Sequence, residues 1–281
     1  MSRKTVPYGP RPWIQAHWDW RAAANFMLGG AGSGLVVAAA LAGTAPLAAL
    51  AGGMLLVAAG LGAVWLEIGR KLRAAHVLFN PFTSWMTRES YAAVLFFALG
   101  AAALASGPGA RGVVLAYLAS LAAALFALCQ ARILHASKGI PAWRQPEVVP
   151  FIAATALAEG AGLLALLDQG TAVMGLLATA VVVRAWTWSG YRGALARATP
   201  PEVRAALEAP GRALMQAGTI APLALAIAAV FAPPAGLVAG IAALATGAWF
   251  KFALVTRASR NQGFSLPKLP VRGSRQEGRR P

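Results

Sequence analysis

Long apolar runs alternate with polar connectors along all 281 residues of the chain. A helix that crosses the hydrocarbon layer of a membrane needs about 20 mostly apolar residues. Runs of about this length predict an all-α integral membrane protein with eight transmembrane helices, at residues 23–43, 47–67, 91–106, 112–134, 149–167, 171–189, 215–233 and 236–256.

The composition supports this pattern. Apolar residues make up 58% of the chain, and its mean hydropathy is +0.60. Charged residues make up only 12%, about half of what a soluble domain carries. This leaves too little polar surface to cover a water-soluble globule, so the composition excludes a soluble monomer and a disordered chain.

The positive charges are strongly one-sided. With eight helices, both termini and the three long connectors, at 68–90, 135–148 and 190–214, face one compartment, whereas tight turns face the other. Of the 25 Lys and Arg residues, only Arg111 lies on the tight-turn side. The positive-inside rule therefore predicts a bacterial inner membrane protein with both termini in the cytoplasm. The excess of Lys and Arg over Asp and Glu is explained by this topology, so it predicts no nucleic-acid partner. The N-terminus does not resemble a cleavable signal peptide.

The nine tryptophans also lie on or near the cytoplasmic side. They predict either a one-sided interfacial belt or contacts with a bound headgroup or docked protein.

Two segments echo each other, since His135-Ala136-Ser137-Lys138 closes the fourth predicted helix and Arg257-Ala258-Ser259-Arg260 closes the eighth. This predicts two parallel four-helix halves, with chance similarity in an Ala-rich sequence as the alternative. The predicted organisation is a cytoplasmic N-terminal segment, a first half, a cytoplasmic loop, a second half and a basic cytoplasmic tail, at residues 1–22, 23–134, 135–148, 149–256 and 257–281.

Two local patterns predict structural roles. The glycine pairs Gly30/Gly34 and Gly236/Gly240, each four residues apart, are typical of close helix packing. Residues 199–202 fit a capping box with Thr199 as the N-cap, which predicts a short surface helix ending near Leu207.

Glu159 and Arg184 lie inside predicted transmembrane helices, where ionisable side chains are costly. They form either a structural ion pair with each other or part of a proton path. Lys251 is expected to extend its amine towards the membrane surface.

The densest polar stretch is residues 67–89. A quinone needs an apolar slot, hydrogen-bond partners for two carbonyls and a proton donor or acceptor, and this stretch offers all of them. We predict Glu67 and His76 as proton-handling groups, and further quinone contacts from Arg73, Asn80, Ser84, Trp85 and Arg88. Alternatively, the arginines form a docking surface, and His76 contacts a phosphate or a backbone carbonyl. A single cysteine and three histidines predict no iron–sulfur cluster, no metal site and no haem in this chain.

Three motifs support this prediction: residues 66–74, Asn80-Pro81 with residues 83–89, and Gly139-Ile140-Pro141-Ala142-Trp143. They resemble the NrfD/polysulfide-reductase-like membrane anchors, especially the dimethyl sulfoxide reductase type and the anchors of phenylacetyl-CoA:acceptor oxidoreductases. The resemblance implies a complex of three parts: a molybdopterin (molybdenum or tungsten) catalytic subunit, a four-cluster ferredoxin-like iron–sulfur subunit, and this anchor, which exchanges electrons with quinone or quinol. In dimethyl sulfoxide reductase anchors a histidine is assigned to quinol, and this chain has Glu67 at that position.

Two other functions fit the same pattern. Eight helices with buried ionisable groups are also found in secondary transporters. A purely structural anchor without a quinone site is the third possibility.

Overall fold

The computed structural model describes residues 12–44, 46–68 and 71–261. The first eleven residues of the predicted N-terminal segment and the tail from residue 262 lie outside these ranges. Within them the chain forms eight helices: α1 (Trp20–Ala42), α2 (Pro46–Glu67), α3 (Trp85–Ser106), α4 (Ala110–Ala136), α5 (Val148–Leu164), α6 (Thr171–Ala198), α7 (Pro201–Ala228) and α8 (Pro234–Thr256). A 3₁₀ helix, Lys71–Phe79, lies between α2 and α3.

Seven of these helices are long and apolar enough to cross a membrane, which confirms an all-α, multi-pass membrane protein for the described part of the chain. The remaining helix, α5, is apolar but only 17 residues long. It packs against α1, α4, α6 and α8, so most of its side chains contact protein. We call the end of the bundle that carries the long connectors the basic end.

Several helices extend beyond the predicted apolar runs. The long connector predicted at residues 190–214 is mostly helix, because α6 continues to Ala198 and α7 begins at Pro201. The predicted capping box is wrong, since the Thr199 hydroxyl donates to the Leu195 carbonyl at 2.7 Å. The short surface helix is wrong as well, because α7 continues through a π-helical turn, Gln216–Ile220, to Ala228. Hydropathy marks the apolar part of a helix, whereas the helix itself ends where the backbone is interrupted, here at Pro200.

One glycine of each predicted pair lies at a close crossing, since Gly34 and Gly240 meet the backbone of α5, whereas Gly30 and Gly236 face side chains. A Cβ atom on Gly160 of α5 would lie 1.9 Å from the Gly34 carbonyl carbon of α1. Gly240 of α8 approaches α5 similarly, since its Cβ would lie 2.3 Å from the Gly162 carbonyl oxygen. Both contacts are with backbone, which has no rotamer to change, so only glycine permits these crossings.

Helix packing follows the same scheme in both halves of the chain. α1 packs against α2 and α4, and α5 packs in the same way against α6 and α8. α3 packs on α4, as α7 packs on α8. The α1–α5 crossing joins the two sets.

Aromatic side chains form much of the core at the basic end. Phe151 lies 4.8 Å from Phe250 and 5.5 Å from Tyr191, measured between ring centroids. The indole of Trp143 is buried and donates to the Leu254 carbonyl at 3.0 Å, and Trp18 stacks on it. Trp143 therefore packs in the core, which differs from the interfacial or docking role predicted for the tryptophans.

We expect Gly160→Ala to lower the free energy of unfolding by at least about 1–3 kcal/mol, because the new methyl group would overlap the α1 backbone. Thermal unfolding of the purified chain in detergent would measure this. Gly175→Ala in α6 is the matched control, since no atom lies within 4 Å of its added Cβ. Equal melting temperatures for the two variants would contradict the close crossing.

Candidate functional site

A cavity of about 370 Å³ lies at the basic end between α1, α2, the 3₁₀ helix and α3. Most of its wall is apolar and includes Leu61, Val64, Val77, Met86 and Ile133. Its polar lining consists of Asn25, Glu67, Glu89 and Ser90. An apolar cavity of this size with a few polar groups is typical of a small-molecule site.

The 3₁₀ helix that covers the cavity is fixed to α3 by side-chain hydrogen bonds. The Thr87 hydroxyl donates to the Val77 carbonyl, and the Tyr91 hydroxyl donates to the Leu78 carbonyl at 2.8 Å. α3 itself begins at a side-chain cap, since the Ser84 hydroxyl accepts from the Thr87 N–H at 3.3 Å. These contacts hold Val77 in the cavity wall.

Asn25 reaches the cavity from a π-helical turn in α1, Asn25–Gly29. The backbone carbonyl of Asn25 accepts from Gln130 Nε2 of α4 at 3.0 Å. Gly29 leaves room for this amide, because a Cβ there would lie 2.5 Å from Gln130 Nε2. Single π-helical turns inside α-helices are frequent at functional sites.

Glu89 is the buried acid of the cavity, with only 6% of its surface exposed. The side-chain amides of Asn25 and Gln130 are its polar neighbours. Glu89 Oε1 and Asn25 Oδ1 are both buried and have no hydrogen-bond partner within the protein. Buried polar atoms are rarely left unpaired, so these two oxygens are candidates for contact with a ligand or water in the cavity.

Glu67 lies at the end of α2 and lines the cavity from its rim, where it is half-buried. Arg21 in the first turn of α1 lies nearby and interacts electrostatically with Glu67. Arg21 also pairs with Asp19 at 2.8 Å and donates to the Leu66 carbonyl at 3.3 Å. The rim therefore carries charges of both signs, whereas the interior carries one acid.

Of the predicted quinone contacts, Glu67 is the one that the structure places at the cavity. His76 is exposed and lies edge-on to Phe79, at 5.6 Å between ring centroids. Asn80 is exposed as well. The side chain of Arg73 is outside the described part of the chain.

The remaining three predicted contacts support the connector between α2 and α3. Ser84 forms the cap of α3. The Trp85 ring contacts the guanidinium groups of Arg88 and Arg132, which lie 4.3 and 5.4 Å from its centroid. Arg88 donates to the Pro81 and Phe82 carbonyls at 2.8 and 2.7 Å, which holds the turn before α3.

Three polar residues at or beside the cavity were not among the predicted site residues: Glu89, Asn25 and Gln130. Glu89 falls inside the connector predicted at residues 68–90, but it lies in a helix, because α3 begins at Trp85. The sequence did offer one signal for Glu89, because a carboxyl group one turn after the start of an apolar helix is costly unless it has a role. The π-helical turn that brings Asn25 to the cavity has no comparable signal in the sequence.

A second buried polar group lies deeper in the bundle. Glu159 Oε2 pairs with Lys251 Nζ at 2.6 Å, and the two side chains are 0% and 1% exposed. Lys251 Nζ also donates to the Phe26 carbonyl at 3.0 Å, within the π-helical turn of α1. Lys251 therefore does not extend to the membrane surface, and that prediction is wrong. Gly30 makes the space, since a Cβ there would lie 2.2 Å from Lys251 Nζ.

Arg184 is not the ion-pair partner of Glu159, which corrects the predicted pair. Its guanidinium is fully buried and donates to the Ala243 carbonyl at 2.8 Å and to the Gly218 carbonyl. Gly218 lies in the π-helical turn of α7. Lys251, 92 residues from Glu159 in sequence but adjacent to it in space, thus takes the role predicted for Arg184. Arg184 donates to backbone carbonyls instead.

Comparison of the chain with protein-family models gives no match, and comparison with curated proteins gives none either. The resemblance to NrfD-like anchors therefore depends on the loop motifs alone.

We expect Lys251→Met to destabilise the protein by about 3–5 kcal/mol, because it leaves a buried carboxylate without its partner. Adding Glu159→Gln to this variant removes the unpaired charge and should restore part of the loss. Thermal unfolding of both single variants and the double variant measures the coupling. Additive effects of the two substitutions would show that the pair is not formed.

Proposed function

We propose that this chain is the membrane anchor subunit of a molybdopterin oxidoreductase complex, and that it exchanges electrons between membrane quinone or quinol and a docked iron–sulfur subunit. The observation that carries the proposal is the apolar cavity with a buried acid beside Glu67. Two of the segments that resemble NrfD-like anchors, residues 66–74 and 83–89, contribute Glu67, Ala74 and Glu89 to the lining of that cavity.

The residues of the cavity fit a quinone head group. Apolar side chains such as Leu61, Val64 and Val77 form a slot for a ring and tail. The unpaired Asn25 Oδ1 accepts from a quinol hydroxyl, and the Glu89 carboxyl accepts from a quinol hydroxyl or, when protonated, donates to a quinone carbonyl. Pairing these atoms with a ligand removes the cost of leaving them unsatisfied.

A bound quinone supplies two-electron redox chemistry coupled to two protons. In our proposal Glu89 holds a proton at its carboxyl inside the cavity, and the Glu67 carboxyl at the rim exchanges it with water. The two acids line the same cavity, so a proton moves between them without crossing the apolar core. His76 is exposed beyond the rim and takes part only in exchange with water.

The iron–sulfur subunit docks on the basic end in this proposal. Phe82 is 89% exposed there, beside the cavity wall, and Phe79 is largely exposed as well. Apolar side chains this exposed mark an interaction surface. Arginines at the basic end provide charge complementarity, which sets the orientation in which the iron–sulfur subunit docks and its rate of encounter. In this proposal the molybdopterin subunit binds to the iron–sulfur subunit and not directly to this chain.

The proposed membrane topology has eight spans, with α5 as the short buried one and the basic end in the cytoplasm of a bacterial inner membrane. The shared packing scheme of α1–α4 and α5–α8 supports two related halves. Membrane lipid surrounds the outer helix faces, and the positive-inside rule supports the orientation.

A secondary transporter is the weaker proposal. Such proteins bind substrate at polar groups near the midplane. Glu159, Lys251 and Arg184 are the buried candidates, but they line neither this cavity nor the second one described below. Lys251 and Arg184 are hydrogen-bonded within the protein.

We expect Glu67→Gln and Glu89→Gln each to lower quinol-dependent turnover of the complex by about 10²–10⁴-fold, because each removes a proton-handling group. Reduction by an artificial dye should be unaffected, since the dye reacts with the other subunits. Glu202→Gln, at an exposed site on α7, is the control. Unchanged quinol activity in both variants would remove these acids from the mechanism.

Filling the cavity tests the site without touching its polar groups. Ala74 lines the cavity, whereas the next residue, Ala75, is exposed and does not. We expect Ala74→Phe to lower quinol-dependent turnover at least about tenfold by displacing the ring. Ala75→Phe should have no effect. Equal rates in the two variants would place the quinone elsewhere.

A further inference from the structure

A second cavity, of about 600 Å³, lies between the end of α6 and the first turns of α7. Like the Glu67 cavity, which adjoins the end of α2 and the start of α3, it lies where one helix ends and the next begins. Its floor is the buried indole of Trp188. Gly211 of α7 permits this arrangement, since a Cβ there would lie 2.6 Å from the Trp188 ring.

The polar lining of this groove is mostly cationic. It includes Arg192 from α6 and Arg204 and Arg212 from α7, against one acid, Glu208. Glu208 pairs with Arg212 at 2.9 Å. Within the described part of the chain, the side chains of Arg192 and Arg204 have no ion pair and no hydrogen bond. Two exposed guanidinium groups therefore face one groove without an acidic partner.

The surface beyond the groove is apolar. Further along α7, Ile220 is 62% exposed and Ile227 is 70% exposed. Both belong to a helix that is long and apolar enough to cross a membrane. Ile220 lies four residues after Gln216, which lines the groove, so an exposed apolar stretch of α7 follows the groove along the helix.

We propose that this groove binds the phosphate group of an anionic phospholipid, with Arg192 and Arg204 on the phosphate and the acyl chains along the apolar face of α7. Guanidinium groups form paired, charge-assisted hydrogen bonds with phosphate oxygens. Basic pockets between helices at the membrane surface suit anionic headgroups. Free phosphate offers the same charge but gains nothing from Ile220 and Ile227. The proposal is independent of the quinone site.

Native mass spectrometry of the full chain, released from detergent micelles, tests this directly. The probes are phosphatidylglycerol, phosphatidylcholine and inorganic phosphate. We expect the chain to retain phosphatidylglycerol in preference to the other two. Arg192→Gln/Arg204→Gln should weaken that binding roughly tenfold, because two cationic contacts are lost. Arg197→Gln is the matched control, since Arg197 is exposed on the last turn of α6 but does not line the groove.

A charge-preserving variant separates binding from folding. Arg192→Lys/Arg204→Lys should keep most of the preference for phosphatidylglycerol. In nanodiscs, phosphatidylglycerol should raise the melting temperature of the unmodified chain more than that of the double Gln variant, since a ligand stabilises the state that binds it. Equal retention of phosphatidylglycerol and phosphatidylcholine, equal effects of the Gln double variant and Arg197→Gln, or inorganic phosphate binding as tightly as the lipid would each overturn the proposal.

Discussion

The ion pair between Lys251 and Glu159 constrains the whole bundle. Ionisable groups inside a membrane protein are costly unless they are paired and hydrogen-bonded. Lys251 of α8 satisfies this by contacting Glu159 of α5 and the Phe26 carbonyl of α1 at once. Three helices must therefore meet at one level, and the space for the ammonium group comes from Gly30. The ion pair therefore adds a polar constraint on the register of these helices to that of the glycine crossings between α5 and its neighbours α1 and α8.

The same turn of α1 links this core to the cavity. Its Phe26 carbonyl accepts from Lys251, and its first residue, Asn25, lines the cavity beside Glu89. The π-helical turn of α7 behaves in the same way, since its Gly218 carbonyl accepts from Arg184. In both helices the irregular turn supplies backbone acceptors to a cation that the apolar interior could not otherwise hold. The irregular turns thus stabilise the core and also shape the site.

Hydropathy was sufficient to predict the helices but not their ends or their contacts. The apolar runs correspond to α1–α8, yet α6 and α7 continue well into polar sequence. The glycine spacing predicted the close helix crossings, because backbone approach depends on local residue size. The partner of Glu159 was not predictable, since it depends on which helices adjoin. Glu89 was missed for a related reason: its burial depends on α1 and α4, which are distant in sequence.

The π-helical turn in α1 also determines how the side chains before it are rotated about the helix axis relative to those after it. A residue advances an α-helix by about 100°, so one extra residue in a turn rotates everything before it by that angle. Trp20 and Arg21 precede the turn, and the Gly34 crossing follows it. The side chains before the turn therefore face a direction rotated by about 100° from the one that a regular α-helix would give them. Deleting a single residue there would turn the first segment of α1 away from α2, which it contacts, so the length of this segment is as constrained as its composition.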